Sequence, residues 1–419
     1  MGRQTLAQMF AAGGAGGMVG ASPRELMMLV ALLLSGSVFA QDLVVEVGGI
    51  VALPTSGAWV RALPGDDGWD LGIATQRGYG LIPMSSTGDG PSDWTVAEAD
   101  RWWLVEHDDP QLDDHNLERC PDGTWLHVAT GTTSRQDDSA WWFRHAADWT
   151  LLASGEVEVG SGTMHHSDPP VMCSTLGQGV LVGPHTGFTG DAIFFEVGST
   201  GTATQGARLS DRPAPVGGAV FADDAAGQIH RMATDGPSGP ILHMTYDSDW
   251  NELSVDSANP LPSPYEAYWP QGHVRVGDYW VIATLGTPEG GGGGGGNRTR
   301  PFVIVYDLDW SVVQVVALGG DGSIEGAARP WISRKDDLLI VTFDVGLKAY
   351  LVGMQVDLDV AGDDPVIPSG GEDGDGGGSG SSDDADDEGK DSGGCAVAPV
   401  GGGLLWMAGL GLVGRRRRD

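Results

Sequence analysis

Apolar and polar positions alternate in short blocks between residues 41 and 360. Each apolar block is brief, rich in Val, Ile, Thr and aromatic side chains, and bounded by Gly, Asp or Pro. Blocks of this kind are typical of β-strands. No stretch of this region keeps the helical period of about 3.6 residues. The pattern therefore predicts an all-β fold with almost no helix.

A short motif, Asp-Trp after an apolar run, recurs through this region. It occurs at Trp94, Trp149, Trp250 and Trp310, with spacings of 55, 101 and 60 residues. The long spacing predicts a further unit near residue 199, where an apolar run is present but the Trp is missing. Repeats at a regular period indicate a protein built from similar structural units.

A second landmark precedes each Asp-Trp motif, namely an apolar strand that ends in Thr. The strands end at Thr75, Thr130, Thr234, Thr284 and Thr342, and a similar run without Thr lies around Val182. Turn, strand, loop, strand, Asp-Trp turn and final strand form one unit of about 50–60 residues. Six units of four antiparallel strands predict a six-bladed β-propeller. Five or seven blades stay open, since the first and last units could share one sheet.

The Asp-Trp motifs are expected at the outer hairpin corners of successive blades. Asp accepts hydrogen bonds from its own backbone in tight turns, and Trp can cover the apolar core between two blades. The alternative is that each Trp is a separate ligand platform. The motifs resemble the Asp-box hairpins of sialidase-like propellers, but they lack the Ser-x-Asp-x-Gly-x-x-Trp spacing, and we infer no sialidase activity from them.

Both ends of the chain indicate export and attachment to a membrane. Residues 27–40 form an apolar segment that ends in Val-Phe-Ala, which predicts a secretory signal cleaved after Ala40. Residues 361–394 are rich in Gly, Ser, Asp and Glu, and this composition predicts a disordered, acidic tether. The predicted parts are therefore an N-terminal extension with a signal peptide (1–40), the propeller (41–360), the tether (361–394) and a terminal segment (395–419). Whether translation starts at Met1, Met18 or Met27 stays open.

The terminal segment combines Cys395, an apolar core at 404–413 and a cluster of four arginines, Arg415, Arg416, Arg417 and Arg418. This arrangement resembles the MYXO-CTERM class of bacterial C-terminal sorting signals. The resemblance implies removal of the tail and anchoring at the outer surface through Cys395. A retained transmembrane helix with its arginines in the cytoplasm is the alternative.

The charge balance excludes one class of partner. The net charge is −34, with 57 Asp and Glu against 23 Lys and Arg. A chain this acidic repels the phosphate backbone, so no nucleic-acid partner is expected. The expected partners are a glycan or protein ligand and, through the C-terminal segment, a membrane.

Candidate binding chemistry lies in the stretches that precede the Gly- and Asp-rich turns, which should be the innermost strands. These stretches are 113–120, 164–173, 214–222, 264–276 and 323–333. Because they come from equivalent places in different units, their polar side chains should converge at one end of the central channel. The candidate ligand-binding residues are His115, His166, Asp168, Glu266, Tyr268, Trp269, Glu325 and Arg329.

Three chemistries are compatible with these residues. His115, His166 and Asp168 could hold a divalent cation, although no zinc-motif spacing is present and no cofactor is expected. Glu266 and Glu325 could form the acid–base pair of a glycan hydrolase or lyase. The favoured hypothesis is a polar channel rim that binds a sugar or peptide without catalysis, and a rim that is merely solvated is an open alternative.

The cysteines add one structural expectation. Cys120 and Cys173 lie at matching places in adjacent units, 53 residues apart, which predicts a disulfide in an exported protein. Two buried thiols are the alternative. No phosphate-binding loop, GxSxG or HExxH motif occurs in the propeller region. The sequence thus favours a non-enzymatic surface protein.

Overall fold

The structure is a computed structural model. It describes residues 42–65, 68–75, 77–86, 94–106, 112–131, 140–157, 170–182, 192–198, 202–209, 218–236, 238–289, 298–320, 324–362 and 364. His166, Asp168, Cys395 and Arg415–Arg418 lie outside these residues, as do the signal peptide, most of the tether and the C-terminal segment.

The described chain forms six antiparallel sheets, which are the blades of a β-propeller, numbered I to VI here along the chain. Blade I contains β2 (Ala58–Pro64), β3 (Trp69–Thr75), β4 (Gly78–Ser86), β5 (Trp94–Val96) and β6 (Trp102–Glu106). Blade II contains β7 (Leu112–Arg119), β8 (Trp125–Gly131), β9 (Ala140–His145) and β10 (Leu151–Val157). Blade III contains β11 (Val171–Cys173), β12 (Gln178–Val182), β13 (Ala192–Glu196) and β14 (Thr204–Leu209).

The remaining blades repeat this order. Blade IV contains β15 (Ala219–Asp223), β16 (Gln228–Thr234), β17 (Ile241–Asp247) and β18 (Glu252–Ala258). Blade V contains β19 (Tyr265–Tyr268), β20 (His273–Val276), β21 (Tyr279–Pro288), β22 (Arg300–Asp307) and β23 (Val312–Ala317). Blade VI contains β24 (Ala327–Lys335), β25 (Leu338–Val345), β26 (Lys348–Val356) and, as its outermost strand, β1 (Val44–Ser56).

The pairing of β1 with β26 closes the ring. The N-terminal strand runs antiparallel to β26, so both ends of the propeller contribute to blade VI. The first strands of the blades lie side by side, because β2 contacts β24 and β7, β11 contacts β7 and β15, and β20 contacts β24. These strands surround the central axis, which we call the hub. The prediction of six blades is confirmed, and the first and last units do share one sheet.

The apolar core is divided among the blade interfaces. Six separate clusters of buried side chains are present, and each combines residues from two neighbouring blades. Phe194 of blade III, for example, lies in one cluster with Val220 and Ile229 of blade IV. A single blade therefore buries its apolar faces only between its two neighbours, which explains why the sequence repeats.

The Asp-Trp motifs at Trp149, Trp250 and Trp310 lie where they were predicted, at hairpins between the third strand and the outermost strand of a blade, whereas Trp94 is the first residue of the strand β5. In blade IV, the Asp247 carboxylate accepts hydrogen bonds from the backbone N–H groups of Asp249 and Asn251, at 2.9 and 2.8 Å. Trp250 follows with a φ of +63°, and Trp149 and Trp310 have φ of +68° and +61°. The turn thus directs the indole back over the sheet.

These tryptophans bridge adjacent blades. Trp149 donates from Nε1 to the Asp70 carboxylate of blade I, at 3.1 Å. Trp250 packs on Phe194 of blade III and Trp310 packs on His243 of blade IV, with ring centroids 4.6 and 3.9 Å apart. Each indole therefore stabilises the interface with the preceding blade.

Blade III lacks the equivalent Trp, and a disulfide crosses its interface with blade II instead. Cys120, which follows β7, is bonded to Cys173 at the end of β11. Both sulfurs belong to a buried cluster that also contains Trp142 and Phe195. The covalent link joins the two blades at the interface where the Trp of the Asp-Trp motif is missing.

The described helices are short. They are a 3-10 turn at Glu98–Asp100 and an α-helix, α1, at Leu358–Ala361. Contacts with blade V continue beyond the expected boundary at residue 360, because Asp364 accepts a hydrogen bond from the Gly277 N–H at 2.8 Å. Within the described ranges, neither helix has the length and apolar character needed to cross a bilayer.

Candidate functional site

The hub has two chemically different ends. Because every blade repeats the same topology, the innermost strands run in the same direction around the axis. We call the end where they begin the strand-start end, and the end where they finish the strand-finish end.

The strand-start end is occupied by large side chains on unusual backbone. Trp59, Trp269 and Arg329 begin the inner segments of blades I, V and VI, and their φ angles are +54°, +62° and +53°. A non-glycine residue in this region costs about 1–2 kcal/mol. The Trp59 and Trp269 rings meet edge to face at 6.3 Å, and the Arg329 guanidinium lies 5.0 Å from the Trp59 ring. Three strained positions thus converge on one contact.

Arg61 fills the next layer of the hub. Its side chain is fully buried, and its guanidinium lies 4.3 Å from the Trp331 ring centroid. It donates to the Asn116 carboxamide oxygen at 3.2 Å and to the Arg329 carbonyl at 3.4 Å. Arg329 in turn pairs with the buried carboxylate of Asp344 at 3.0 Å. We call the set Trp59, Arg61, Asn116, Trp269, Arg329 and Trp331 the hub plug, because water does not reach the Arg61 guanidinium.

Among the sequence candidates, the structure brings Tyr268, Trp269 and Arg329 together in or beside the plug. The Tyr268 ring is buried and packs on Trp269, with centroids 5.5 Å apart. Trp269 and Arg329 both contact Trp59. The expected convergence is therefore real for these three side chains, but their functional groups are packed together rather than arranged around an opening.

The other described candidates lie apart from this group. His115 is fully buried against Tyr79 of blade I, and its Nδ1 lies 2.9 Å from Nε2 of His127. Glu266 accepts a hydrogen bond from the Ser238 hydroxyl at 3.0 Å. Glu325 faces the Arg300 guanidinium at 3.5 Å. His115 is thus an interface residue, and the two glutamates are bound by different partners.

The strand-finish end contains an open cavity of about 310 Å³. Its walls are the inner strands of blades I, II, V and VI, with a smaller contribution from blade IV. Three indoles line it, from Trp125 of blade II, Trp280 of blade V and Trp331 of blade VI. Trp331 also belongs to the hub plug, so the plug forms the inner boundary of this cavity, which we call the hub cavity.

Three arginines also line the hub cavity. Arg275 pairs with Asp223 at 2.8 Å, and Arg334 pairs with Asp364 at 2.7 Å. The guanidinium of Arg119 lies 6.0 Å from the Trp125 ring centroid, and the part of the chain that the structure describes gives it no carboxylate within 4.0 Å. In a chain with a net charge of −34, this wall is locally basic.

A carboxyl group and an imidazole meet across the hub cavity. Glu118 of blade II and His273 of blade V come from opposite sides of the ring, and Oε1 lies 4.0 Å from Nε2. Burial raises the pKa of Glu118 to about 8, because an ionised carboxylate is poorly solvated there. Burial lowers the pKa of His273 to about 4 for the same reason. Both groups are uncharged at neutral pH, so the contact is not an ion pair.

The alternation of side chains along β7 explains this placement. His115 and Leu117 point into the interface with blade I, whereas Asn116 reaches Arg61 in the hub and Glu118 reaches His273. Successive residues of a strand face opposite sides. The stretches indicated by the sequence contain Glu118, His273 and Trp331. These three residues follow the candidates that were selected in the same stretches, and they were not selected themselves.

No group of three or more His, Cys, Asp or Glu side chains within the described ranges is arranged to hold a metal ion. The cation site considered from the sequence joined His115 to His166 and Asp168. The last two lie outside the described residues.

Comparisons with known proteins show similarity of fold at low identity. No family model matches the chain, and no curated protein matches it significantly. A protein of unknown function from Dyadobacter fermentans is similar in structure, with 10% identity and a TM-score of 0.49 over 76% of this chain and 100% of that one.

Two further solved structures are similar. A putative glycoside hydrolase from Bacteroides ovatus has 10% identity and a TM-score of 0.38, over 78% of this chain and 97% of that one. The NanB sialidase from Streptococcus pneumoniae has 9% identity and a TM-score of 0.43, over 77% of this chain and 71% of that one. With such values, the function has to be argued from the residues of this chain.

Proposed function

We propose that this protein is an exported, surface-displayed β-propeller that binds a glycan in the hub cavity without cleaving it. The observation that carries the proposal is the open cavity of about 310 Å³, which combines three indoles with several hydrogen-bonding side chains. Small-ligand pockets span roughly 300–1,000 Å³. The hub cavity therefore suits a ligand of one or two sugar rings.

The chemistry of the lining supports a saccharide. The indoles of Trp125, Trp280 and Trp331 are largely buried, and the atoms that line the cavity offer apolar contacts to the C–H groups of a sugar ring. Arg119 and the Ser333 hydroxyl offer hydrogen bonds to ring hydroxyls. The combination of apolar faces and a few fixed polar groups is the usual composition of a ligand pocket.

The distribution of carboxylates favours binding over hydrolysis. Glycoside hydrolases in most families use two carboxyl groups that flank the bond to be cleaved. Within the described lining of the hub cavity, Glu118 is the one carboxyl group. Glu266 and Glu325, the pair considered from the sequence, are bound to Ser238 and Arg300 instead.

Export and anchoring remain part of the proposal through the terminal sequences. The apolar segment at 27–40 supports secretion, and the acidic tether with Cys395, the apolar core and Arg415–Arg418 supports attachment at the outer surface. To test this, the chain is expressed with and without residues 395–419, and intact cells are treated with protease. The proposal expects a cell-bound, protease-accessible protein that the truncation releases into the medium. A protected, intracellular full-length chain would contradict it.

Binding is tested with the purified chain on a glycan array, followed by calorimetry and a turnover assay on each glycan that binds. The proposal expects a dissociation constant in the micromolar range and no new reducing ends. Cleavage that is abolished in Glu118→Gln would establish the hydrolase alternative at this cavity. Cleavage lost in Glu266→Gln or Glu325→Gln would place the chemistry elsewhere. An absence of binding to every glycan would reject the proposal.

A further inference from the structure

We infer that the saccharide bound in the hub cavity carries a carboxylate group, that Arg119 and Arg334 receive this group, and that the preference for it depends on the charge of Glu118 in the same cavity. The inference rests on the proposed function, because it names the chemical class of the ligand for the same cavity. It follows from three features of the lining: its arginines, the exposure of their partners and the Glu118 carboxyl group in the same cavity.

The arginines give the hub cavity an excess of positive charge. Arg119, Arg275 and Arg334 carry three positive charges, and Asp223 and Asp364 balance two of them. Arg119 contributes the charge that the described residues leave without a carboxylate. A guanidinium presents a planar pair of N–H donors that matches the two oxygens of a carboxylate. The cavity therefore complements an acidic sugar better than a neutral one.

One of the existing ion pairs can exchange its carboxylate for that of a ligand. The Asp364 side chain is 53% exposed where it meets Arg334, whereas the Asp223 side chain is 12% exposed where it meets Arg275. The two arginines are equally buried, at 17% exposure, so the pairs differ in the exposure of the carboxylate. Because Asp364 is in contact with water, a ligand carboxylate can take its place at Arg334, while the more buried Asp223 stays on Arg275.

The protonation of Glu118 controls the charge of the same cavity. The charged or titratable side chains that line it with Glu118 are His273 and Arg275 from blade V, Arg334 from blade VI and Arg119 beside it on β7. The arginines stay charged throughout, and burial keeps the pKa of His273 near 4. Among these groups, only Glu118, with a pKa of about 8, changes its charge between pH 6 and pH 9. Its ionisation places a negative charge beside the carboxylate of the ligand.

The test compares two disaccharides that differ only in one group, a galacturonate-containing one and its galactose-containing counterpart. Calorimetry with the full chain at pH 6, at physiological ionic strength, should give about tenfold tighter binding of the acidic sugar. At pH 9 that preference should disappear, because ionised Glu118 repels the carboxylate. The affinity for the neutral sugar should change less than threefold. One decade of affinity corresponds to about 1.4 kcal/mol.

Variants separate the roles of the two residues. Glu118→Gln keeps the shape of the side chain but cannot ionise, so its preference for the acidic sugar should persist at pH 9. Arg119→Ala should lose the preference at pH 6 while it still binds the neutral sugar. Arg298→Ala removes an exposed arginine outside the cavity and should behave as the wild type. Thermal unfolding of each variant checks that the fold is intact.

The outcomes distinguish this inference from the proposed function. Equal affinity for both sugars at pH 6 would overturn the inference and leave glycan binding standing. Binding of neither sugar, together with no binding on the array, would overturn both. A preference for the acidic sugar that survives in Arg119→Ala, or a loss at pH 9 that survives in Glu118→Gln, would also overturn the inference.

Discussion

The two ends of the hub are built from the same inner strands, yet one is packed and the other is open. At the strand-start end, Trp59, Trp269 and Arg329 meet on strained backbone and enclose Arg61. At the strand-finish end, the same strands leave a cavity of about 310 Å³. The topology of the blades is the same at both ends. The ends differ because large side chains fill the axis at the strand-start end and leave it open at the strand-finish end.

Arginine and tryptophan have different roles at the two ends of the hub. They are structural in the hub plug, and we propose that they bind a ligand in the hub cavity. In the plug, the Arg61 guanidinium is enclosed by aromatic rings and backbone carbonyls, so its role is to hold blades I, II and VI together. In the hub cavity, Arg119 lies beside the indole of Trp125 and its side chain is exposed. The same pair of residue types therefore stabilises the ring at one end and offers a ligand surface at the other.

The largest expected effect comes from the covalent link beside the cavity. Cys120 follows Arg119 directly, and its disulfide to Cys173 closes a segment with a sequence separation of 53. In the chain-entropy account, removal of such a link costs about 4 kcal/mol. Cys120→Ser with Cys173→Ser should lower the free energy of unfolding by about this amount in urea titrations. A reductant should destabilise the wild type and leave the double variant unchanged.

An intact stability in the double variant would mean that the apolar cluster alone holds blades II and III together. The matched comparison is Trp310→Ala at the interface of blades IV and V, where an indole takes the place of the disulfide. Truncation of a fully buried aromatic side chain costs about 3–5 kcal/mol, and Trp310 is half-buried. We therefore expect Trp310→Ala to cost less than this, and less than removal of the disulfide.

The next largest effect is expected from a substitution in the hub plug. Arg61→Ala removes a fully buried guanidinium that stacks on Trp331 and bonds to Asn116. Loss of a buried network of this kind should reduce the free energy of unfolding by about 3 kcal/mol. Arg298→Ala, on the surface, should change it by less than about 0.5 kcal/mol. Equal and small effects of both substitutions in thermal unfolding would show that the plug is not structural.

A smaller effect on stability is expected in the hub cavity, where the Glu118 carboxyl makes stability depend on pH. The pKa of Glu118 is raised to about 8 in the folded protein, so the folded state holds a proton that the unfolded state releases above about pH 4.5. This contribution to stability is full below about pH 4.5, falls as the pH rises from about 4.5 to about 8, and is lost above about pH 8. Glu118→Gln lacks this dependence. Between pH 5 and pH 9 it should gain about 2 kcal/mol relative to the wild type, less than the full shift implies because 23% of the Glu118 side chain is exposed.

Urea titrations of both proteins across this range measure the difference. A difference that stays constant with pH would show that the Glu118 carboxyl is well solvated. The hub cavity would then carry a negative charge at neutral pH, and burial would not be what sets the charge of Glu118.

The smallest effect on stability belongs to Arg119. Its side chain is exposed and has one described contact, the face of Trp125. Arg119→Ala should change the free energy of unfolding by less than about 0.5 kcal/mol. The same substitution should weaken the binding of an acidic saccharide about tenfold. A large loss of stability would place Arg119 with Arg61, among the structural residues.

The architecture could be predicted from the sequence because the same combination of apolar strand and Asp-Trp turn occurs several times along the chain. Asp247 and Asp307 close equivalent turns through their carboxylates, and Trp250 and Trp310 return over the preceding blade. The missing Trp of blade III was visible as well. The fifth strands of blades I and V had no repeated signal and were not predicted.

The candidate site could be predicted only in part, because it depends on which side of a strand each side chain points to. His115 and Asn116 are adjacent, yet one packs into an interface and the other reaches the hub. A shift of one position along a strand reverses the face. The bulges at Trp269 and Arg329, with positive φ, add a further change of direction that no apolar pattern reports. The stretches chosen from the sequence do line the hub, and Tyr268, Trp269 and Arg329 lie together there, whereas His115, Glu266 and Glu325 lie apart from them.

The most direct test of this account is a crystal structure of the protein with a galacturonate-containing disaccharide at saturating concentration. The account predicts a sugar ring among Trp125, Trp280 and Trp331, with its carboxylate on the guanidinium of Arg119 and the hub plug unchanged. A ligand bound at the strand-start end against Trp269 and Arg329, or a cavity that holds only water, would contradict it.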